Sequence, residues 1–296
     1  MGFMKRKEFI KTSFGALALG FTTFTNLLSS SHTRTLGKTG IKVSAIGFGA
    51  TRTKEPSLLR YAIDKGLSFL DTGRSYANGQ NEVMIGKVIK GFRDKVVIQS
   101  KMRLRFRENE DLSSTATSKR MQRDMEKSLN DSLKALQTDY LDVLLLHDAN
   151  TVDYIHHEKV FEFFESAKKS GKIRACGFSS HINHVELLKA NNASKFHDVI
   201  MIPYNHAGSY KHYRGGFYQE WDQLAAEEQM QIAEKNGIAI VAMKTCSAGP
   251  YSPDGKTAPS YSEALKWILR HSYICTMPVA MTNMDQIDEN IKAFDF

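Results

Sequence analysis

From Arg34 onward, short apolar runs alternate with longer segments of helical period, and this alternation limits the fold more than any other feature of the chain. Strands are expected at Ser44–Ala50, Leu67–Thr72, Val96–Lys101, Leu141–His147, Ile173–Ser179, Val199–Tyr204, Ile238–Lys244 and Tyr273–Val279. Several of them are continuous apolar stretches, such as Val143-Leu144-Leu145-Leu146, which is how a parallel strand covered on both faces reads. Helices are expected near Glu55–Lys65, Asn81–Lys90, Ser118–Leu136, Glu158–Ser170, Val185–Asn191, Glu220–Lys235, Ser260–His271 and Asp285–Ala293. The third of these puts Met121, Met125, Leu129, Leu133 and Leu136 on one face. Gly66, Gly171 and Gly237 stand where three helices should stop. Eight strand–helix units in about 260 residues predict an α/β chain closed into a (β/α)8 TIM barrel. The stretch from Arg34 to Val43, with a Gly37-Lys38-Thr39-Gly40 turn, predicts a hairpin that plugs the barrel's bottom. No repeat or linker divides residues 34–296, so they are read as one domain.

Residues 1–33 have a different character. Lys5-Arg6-Lys7-Glu8-Phe9-Ile10-Lys11 precedes a modest apolar stretch from Phe14 to Phe21, the layout of a signal peptide. The segment resembles a twin-arginine export signal, with Lys7 in place of the second arginine, and so predicts an exported, periplasmic protein handled by export machinery. The competing reading is an N-terminal amphipathic helix packed on a cytoplasmic domain. These residues carry four cations against Glu8, so part of the formal charge of +8 belongs to them. The remaining excess is spread along the chain, except for Arg103, Arg105 and Arg107 just after Lys101. A weak positive field of this kind fits an anionic small molecule better than nucleic acid. No run of about 18 apolar residues appears, so no membrane-spanning helix is expected. Cys176, Cys246 and Cys275 form no pair with metal-ligand spacing, and no metal site is expected.

In a barrel of this kind the chemistry sits at the C-terminal ends of the strands. Three consecutive expected strands end there on ionisable groups: Asp71, Lys101 and His147. Tyr76 follows Asp71 in a loop rich in Gly and Asn, over the same rim. A phenol is a weak acid near neutral pH, and an adjacent ammonium favours its ionised form. An aspartate would keep that ammonium charged and aimed, and an imidazole could hydrogen-bond a substrate oxygen. Together these groups make a proton donor and an oxyanion-stabilising site for hydride addition to a carbonyl.

The segment Arg34–Ser44, the run Leu70-Asp71-Thr72-Gly73-Arg74-Ser75-Tyr76 with Asn81-Glu82, and Thr138-Asp139-Tyr140-Leu141-Asp142 before Leu146-His147 resemble the aldo-keto reductases. So do Gly171-Lys172-Ile173-Arg174 and Gly177-Phe178-Ser179. The resemblance runs from Arg34 to about Asn290 and is strongest to a bacterial branch with export signals. It implies that Asp71, Tyr76, Lys101 and His147 occupy the four catalytic positions, and that the cofactor is NADP(H) or NAD(H). It also implies cofactor contacts from Ser179, Ser180, Met201 and Lys244. Where the family often has Ser-Asn, a glutamine and a stacking tyrosine, this chain has Ser179-Ser180, Met201 and the Met243-Lys244 pair. Thr282, Asn283, Gln286, Glu289 and Asn290 match the adenosine end, with Gln286 where an arginine often holds the 2′-phosphate, so NADP and NAD stay open. The implied activity is reduction of a small carbonyl compound or oxidation of the matching alcohol. Two other readings compete: a nucleotide-binding redox sensor or structural subunit with little turnover, and an aldolase-like barrel using Lys101 or Lys244 in a Schiff base.

Overall fold

The computed structural model describes residues 32–104, 110–207, 210–211, 218–219 and 222–294. Residues 1–31, all of the export-like segment 1–33 but His32 and Thr33, lie outside them, as do Arg105 and Arg107. The parallel strands are β3 (Ile46–Gly49), β4 (Phe69–Asp71), β5 (Val97–Met102), β6 (Leu141–Leu146), β7 (Ile173–Ser179), β8 (Val199–Pro203), β11 (Ala239–Met243) and β12 (Ile274–Val279). They close in the order β11-β12-β3-β4-β5-β6-β7-β8. Around them run α1 (Pro56–Asp64), α2 (Gln80–Val88), α3 (Thr115–Leu136), α5 (Glu158–Lys169), α6 (His184–Ser194), α7 (Gln223–Lys235), α8 (Tyr261–Leu269) and α9 (Met284–Ile291). The expected (β/α)8 barrel is the observed fold.

Each strand buries both faces, and the pleat sends alternate residues to different cores. Along β6, Val143 and Leu145 join the barrel interior with Phe69, Val97, Val199, Val241 and Met243. Leu144 and Leu146 face the helices with Ile98, Cys176, Phe178 and Ile200. The floor is sealed by an antiparallel hairpin, β1 (Thr33–Thr35) with β2 (Lys42–Ser44), in which Thr33 pairs with Ser44. Its Leu36, Ile41 and Val43 are buried in the interior core. Gly37 (φ +49°) lies so close to the backbone of Gly237 that a Cβ there would fall 2.1 Å from the Gly237 oxygen. Lys38 N–H donates to that same oxygen at 2.8 Å. The Arg34 guanidinium bonds the carbonyls of His271, at 3.1 Å, and of Ile274 and Leu269, tying the hairpin to the turn between α8 and β12.

The element boundaries differ from the expected ones in explicable ways. Helix α3 begins at Thr115, not Ser118, because the Ser114 hydroxyl accepts from Thr117 N–H at 3.1 Å and caps an earlier turn. Helix α7 begins at Gln223 behind an Asp222 cap rather than at Glu220. Strand β5 runs one residue past Lys101, and β6 stops one residue before His147. The three stop glycines have φ of +92°, +73° and +71°, each one residue beyond its helix's C-cap. Two features have no counterpart in the sequence reading: a short helix α4 (Val152–Ile155) and a small hairpin of β9 (Tyr210–Lys211) and β10 (Tyr218–Gln219). Among the described residues no helix is long and apolar enough to cross a membrane.

Candidate active site

The open end of the barrel holds a cavity of about 540 Å³, lined by Asp71, Tyr76, Lys101 and His147 together with Ser179, Met201 and Lys244. Asp71 ends β4 and Lys101 projects from β5 beside it; they are 4% and 2% exposed. The Lys101 ammonium donates to Asp71 Oδ1 at 2.5 Å, to the Thr72 carbonyl at 2.8 Å and to the Tyr76 hydroxyl at 3.3 Å. Burial works against this charge, but Asp71 and Tyr76 outweigh it and hold the ammonium above the usual lysine range. Gln99, two residues before Lys101 and so on the same face of β5, donates to Asp71 Oδ1 at 2.7 Å.

His147, the first residue beyond β6, meets the Tyr76 ring edge-on at 5.8 Å between centroids. Ser75 Oγ lies 3.5 Å from its Nδ1. Burial, then the positive charges of Lys101 and Arg103, push its pKa down to about 2, so the imidazole is neutral across the working range of a protein. A neutral ring can hand one N–H to an oxygen in the cavity. The four side chains, from the ends of three consecutive strands and the loop after the first, thus meet in one corner.

The residues implied for the cofactor are spread out. Ser179 Oγ bonds the Leu146 carbonyl at 3.3 Å and faces the cavity. Ser180 does not: it is fully buried, and its hydroxyl is engaged by Asn150 Oδ1 at 2.7 Å and the Ile182 carbonyl at 2.6 Å, so it shapes its loop. Met201 lines the cavity and accepts from Gln99 at 3.4 Å through its sulfur. Lys244, just past β11, adopts φ +57°, and partial desolvation by the rim with nearby Arg52 pulls its ammonium below the usual lysine range. Thr282, Asn283, Gln286, Glu289 and Asn290 lie outside this cavity, at and along α9. Asn283 caps that helix by accepting from Gln286 N–H at 2.9 Å, while Gln286 Oε1 accepts from Thr282 N–H at 2.8 Å. Glu289 is half-buried and Asn290 buried.

Sequence reasoning missed several residues of the rim. Arg52, His181, Thr245 and Cys246 also line the cavity, as does Arg103, which the sequence sets apart just after Lys101. Arg52 lies three residues beyond β3, a loop that the rule of strand ends should have flagged. Arg103 pairs with Asp148, which also lies 3.2 Å from His181 Nε2, and Glu110 pairs with Arg120 at 2.8 Å. Among the described residues, the lining holds four cations, Arg52, Lys101, Arg103 and Lys244, and one carboxylate, Asp71. Arg52 and Lys244 approach each other from β3 and β11 on either side of β12, an arrangement that suits an anion carrying more than one charge. The pyrophosphate of a nicotinamide dinucleotide has that charge, so the residues present fit such a cofactor. No group of His, Cys, Asp and Glu among the described residues is arranged to hold a metal ion.

Known proteins agree with this architecture. The solved aldo-keto reductase of Bacillus halodurans in its holo form superposes with a TM-score of 0.71 at 23% identity, over 89% of this chain and 91% of that one. An aldo-keto reductase of Klebsiella pneumoniae, solved in complex with NADPH, gives 0.67 at 24% identity, over 90% of both chains. In sequence, the L-galactose dehydrogenase of Arabidopsis thaliana is 24% identical over 299 residues, spanning 88% of this chain and 87% of the relative. The sequence profile of the Aldo/keto reductase family matches residues 46–263, most of the barrel. The chain belongs to the Aldo/keto reductase family.

Proposed function

We propose that the protein is an NADP(H)- or NAD(H)-dependent oxidoreductase that reduces a small aldehyde or ketone, or oxidises the matching alcohol. The observation that carries this reading is the buried chain Asp71–Lys101–Tyr76, beside a neutral His147 at the cavity mouth. The nucleotide, when bound, supplies or accepts the hydride. Tyr76 gives its proton to the carbonyl oxygen as negative charge develops there. The Lys101 ammonium, kept charged by Asp71, stabilises the phenolate left behind, and His147 donates a hydrogen bond to the same substrate oxygen. Arg52 and Lys244 would hold the pyrophosphate, Ser179 and Met201 would border the nicotinamide, and the α9 end would bear the adenosine. One relative is named L-galactose dehydrogenase, which supports keeping both directions of turnover in this reading.

A screen of simple aldehydes with NADPH and with NADH tests this reading; absence of turnover with both would sink it. That outcome, with nucleotide still bound in a calorimetric titration, would leave the sensor reading, which draws on the internalised hydroxyl of Ser180. The aldolase reading loses support from Lys101, whose ammonium is held charged by Asp71.

We propose further that the protein is exported folded, with nucleotide bound, because the Arg6–Lys11 segment resembles a route that carries folded cargo. Fractionation of a tagged protein, with Arg6→Gln and Lys7→Gln together as control, checks this. A full-length cytoplasmic protein in a host competent for that route would overturn it.

A further inference from the structure

Tyr76 must be held beside Lys101, yet Ser75, Ala77 and Asn78 around it are exposed. What fixes the loop lies behind it. Thr72 Oγ1 bonds Asn81 Oδ1 at 2.7 Å, and Asn81 reaches on to the Ala50 carbonyl at 2.8 Å. Arg74, two residues before the tyrosine, turns its guanidinium away from the cavity onto Glu82 Oε2 at 2.5 Å and the Asp131 carbonyl at 3.1 Å. The other oxygen of Glu82 accepts from Ser100 Oγ at 2.6 Å, and Ser100 is the neighbour of Lys101 on β5. Glu82 is fully buried. Desolvating a carboxylate in this way is costly unless it is paired and hydrogen-bonded, and here it is both.

The loop is shaped around this contact. Ala77, Asn78 and Gly79 follow the tyrosine in succession with φ of +48°, +52° and +85°. A Cβ on Gly79 would fall 1.3 Å from the Arg74 guanidinium, so the chain has room for the ion pair only with glycine there. The loop bearing Tyr76 and the strand bearing Lys101 are therefore both tied to one carboxylate, on the side away from the substrate.

We propose that Glu82 is a positioning residue: through Arg74 and Ser100 it sets the separation of the Tyr76 hydroxyl from the Lys101 ammonium. This rests on the reading of Tyr76 as proton donor. A displacement of about 1 Å at reacting groups costs up to about a hundredfold in rate. Glu82→Gln keeps the shape and the acceptor for Ser100 but removes the charge that holds Arg74.

The test compares Glu82→Gln, Glu82→Asp, Arg74→Met and the Arg74→Met/Glu82→Gln pair for kcat and KM on one aldehyde, nucleotide Kd and thermal midpoint. Glu82→Gln should lower kcat about tenfold or more with aldehyde KM and nucleotide Kd nearly unchanged. Glu82→Asp should recover part of the loss, and the double variant should be no slower than the worse single one. Should Glu82→Gln not fold, Ser100→Ala, which cuts only the strand side of the link, should show the same kcat-only loss. A folded Glu82→Gln protein with wild-type kcat, or a loss shared equally by kcat, KM and nucleotide Kd, would overturn the proposal. Tyr76→Phe run alongside separates the two ideas. If it abolishes turnover while Glu82→Gln keeps wild-type kcat, only the positioning role falls; if it keeps turnover, the proton-donor reading falls and takes this one with it.

Discussion

The two halves of the barrel mouth are built differently. Around β4, β5 and β6, Asp71, Lys101 and His147 are each under a tenth exposed, and Tyr76 is drawn in among them. On the other half, Arg52 and Lys244 stand exposed on separate loops, and the α9 residues are largely exposed. The first half must place a proton within tenths of an ångström, and short contacts in a dry corner do this. The second must hold a long, charged molecule and let it go, and dispersed cations meeting solvent do that. Rigidity is concentrated where bonds change, and binding is spread over the rest of the rim.

The sharpest way to break this contrast is at the tyrosine. Tyr76→Phe should lower aldehyde reduction by on the order of 10²-fold or more while nucleotide affinity stays put, and Lys101→Met should behave alike. Steady-state kinetics with fluorescence titration of nucleotide measure both; near-normal turnover in Tyr76→Phe would remove the tetrad mechanism.

The opposite half should answer the other way. Arg52→Ala and Lys244→Ala should each raise nucleotide Kd by about tenfold, the loss of one charge-assisted contact, with kcat at saturation little changed. Gln286→Arg in the same titrations should shift preference toward NADPH by a similar factor, offset in part by loss of the contact Gln286 makes with Thr282. A strong NADPH preference in the parent protein would point to another cation on the phosphate.

A third measurement uses pH. His147, with its pKa near 2, adds no limb to the kcat profile between pH 5 and 8. Fully buried His197 is likewise held down to about 4, by burial first. The unfolded chain takes up a proton as pH falls below about 6.5, and the folded protein does not until near 4. Stability should therefore be complete above pH 6.5 and fall below it by about 1.4 kcal/mol per pH unit for this group. Denaturant melts at pH 7 and 5 give the slope, and a flat response would contradict a neutral buried imidazole.

The smallest effect belongs to Arg103, whose pairing with Asp148 lies partly in solvent. We expect kcat/KM for anionic aldehydes to exceed that for neutral ones by only a few-fold, with the gap closing as salt rises. Equal salt dependence for both substrates would leave Arg103 no part in substrate choice.

The same contrast divides what was legible in the sequence. Val143-Leu144-Leu145-Leu146 announced a strand because both faces are covered, and Asp71, Lys101 and His147 stood out because they break such runs where a strand opens to the mouth. The rim was harder. Arg52 reaches Lys244 only because β12 closes the barrel between their strands, a neighbour relation no local pattern carries. Ser180 read as a ligand, yet its hydroxyl answers to Asn150, thirty residues away. Asn283 and Gln286 carry the spacing of a helix cap, and in the structure they act as one.

The hairpin that closes the floor also decides how the molecule can be attached to anything else. His32 stacks on Phe294 at 4.4 Å between ring centroids, so the first and last described residues meet at the end away from the mouth. A cargo or surface anchored at His32 or Phe294 would sit behind the barrel, with the full height of the sheet between it and incoming substrate. Held at either of these two residues, the barrel would present its mouth outward.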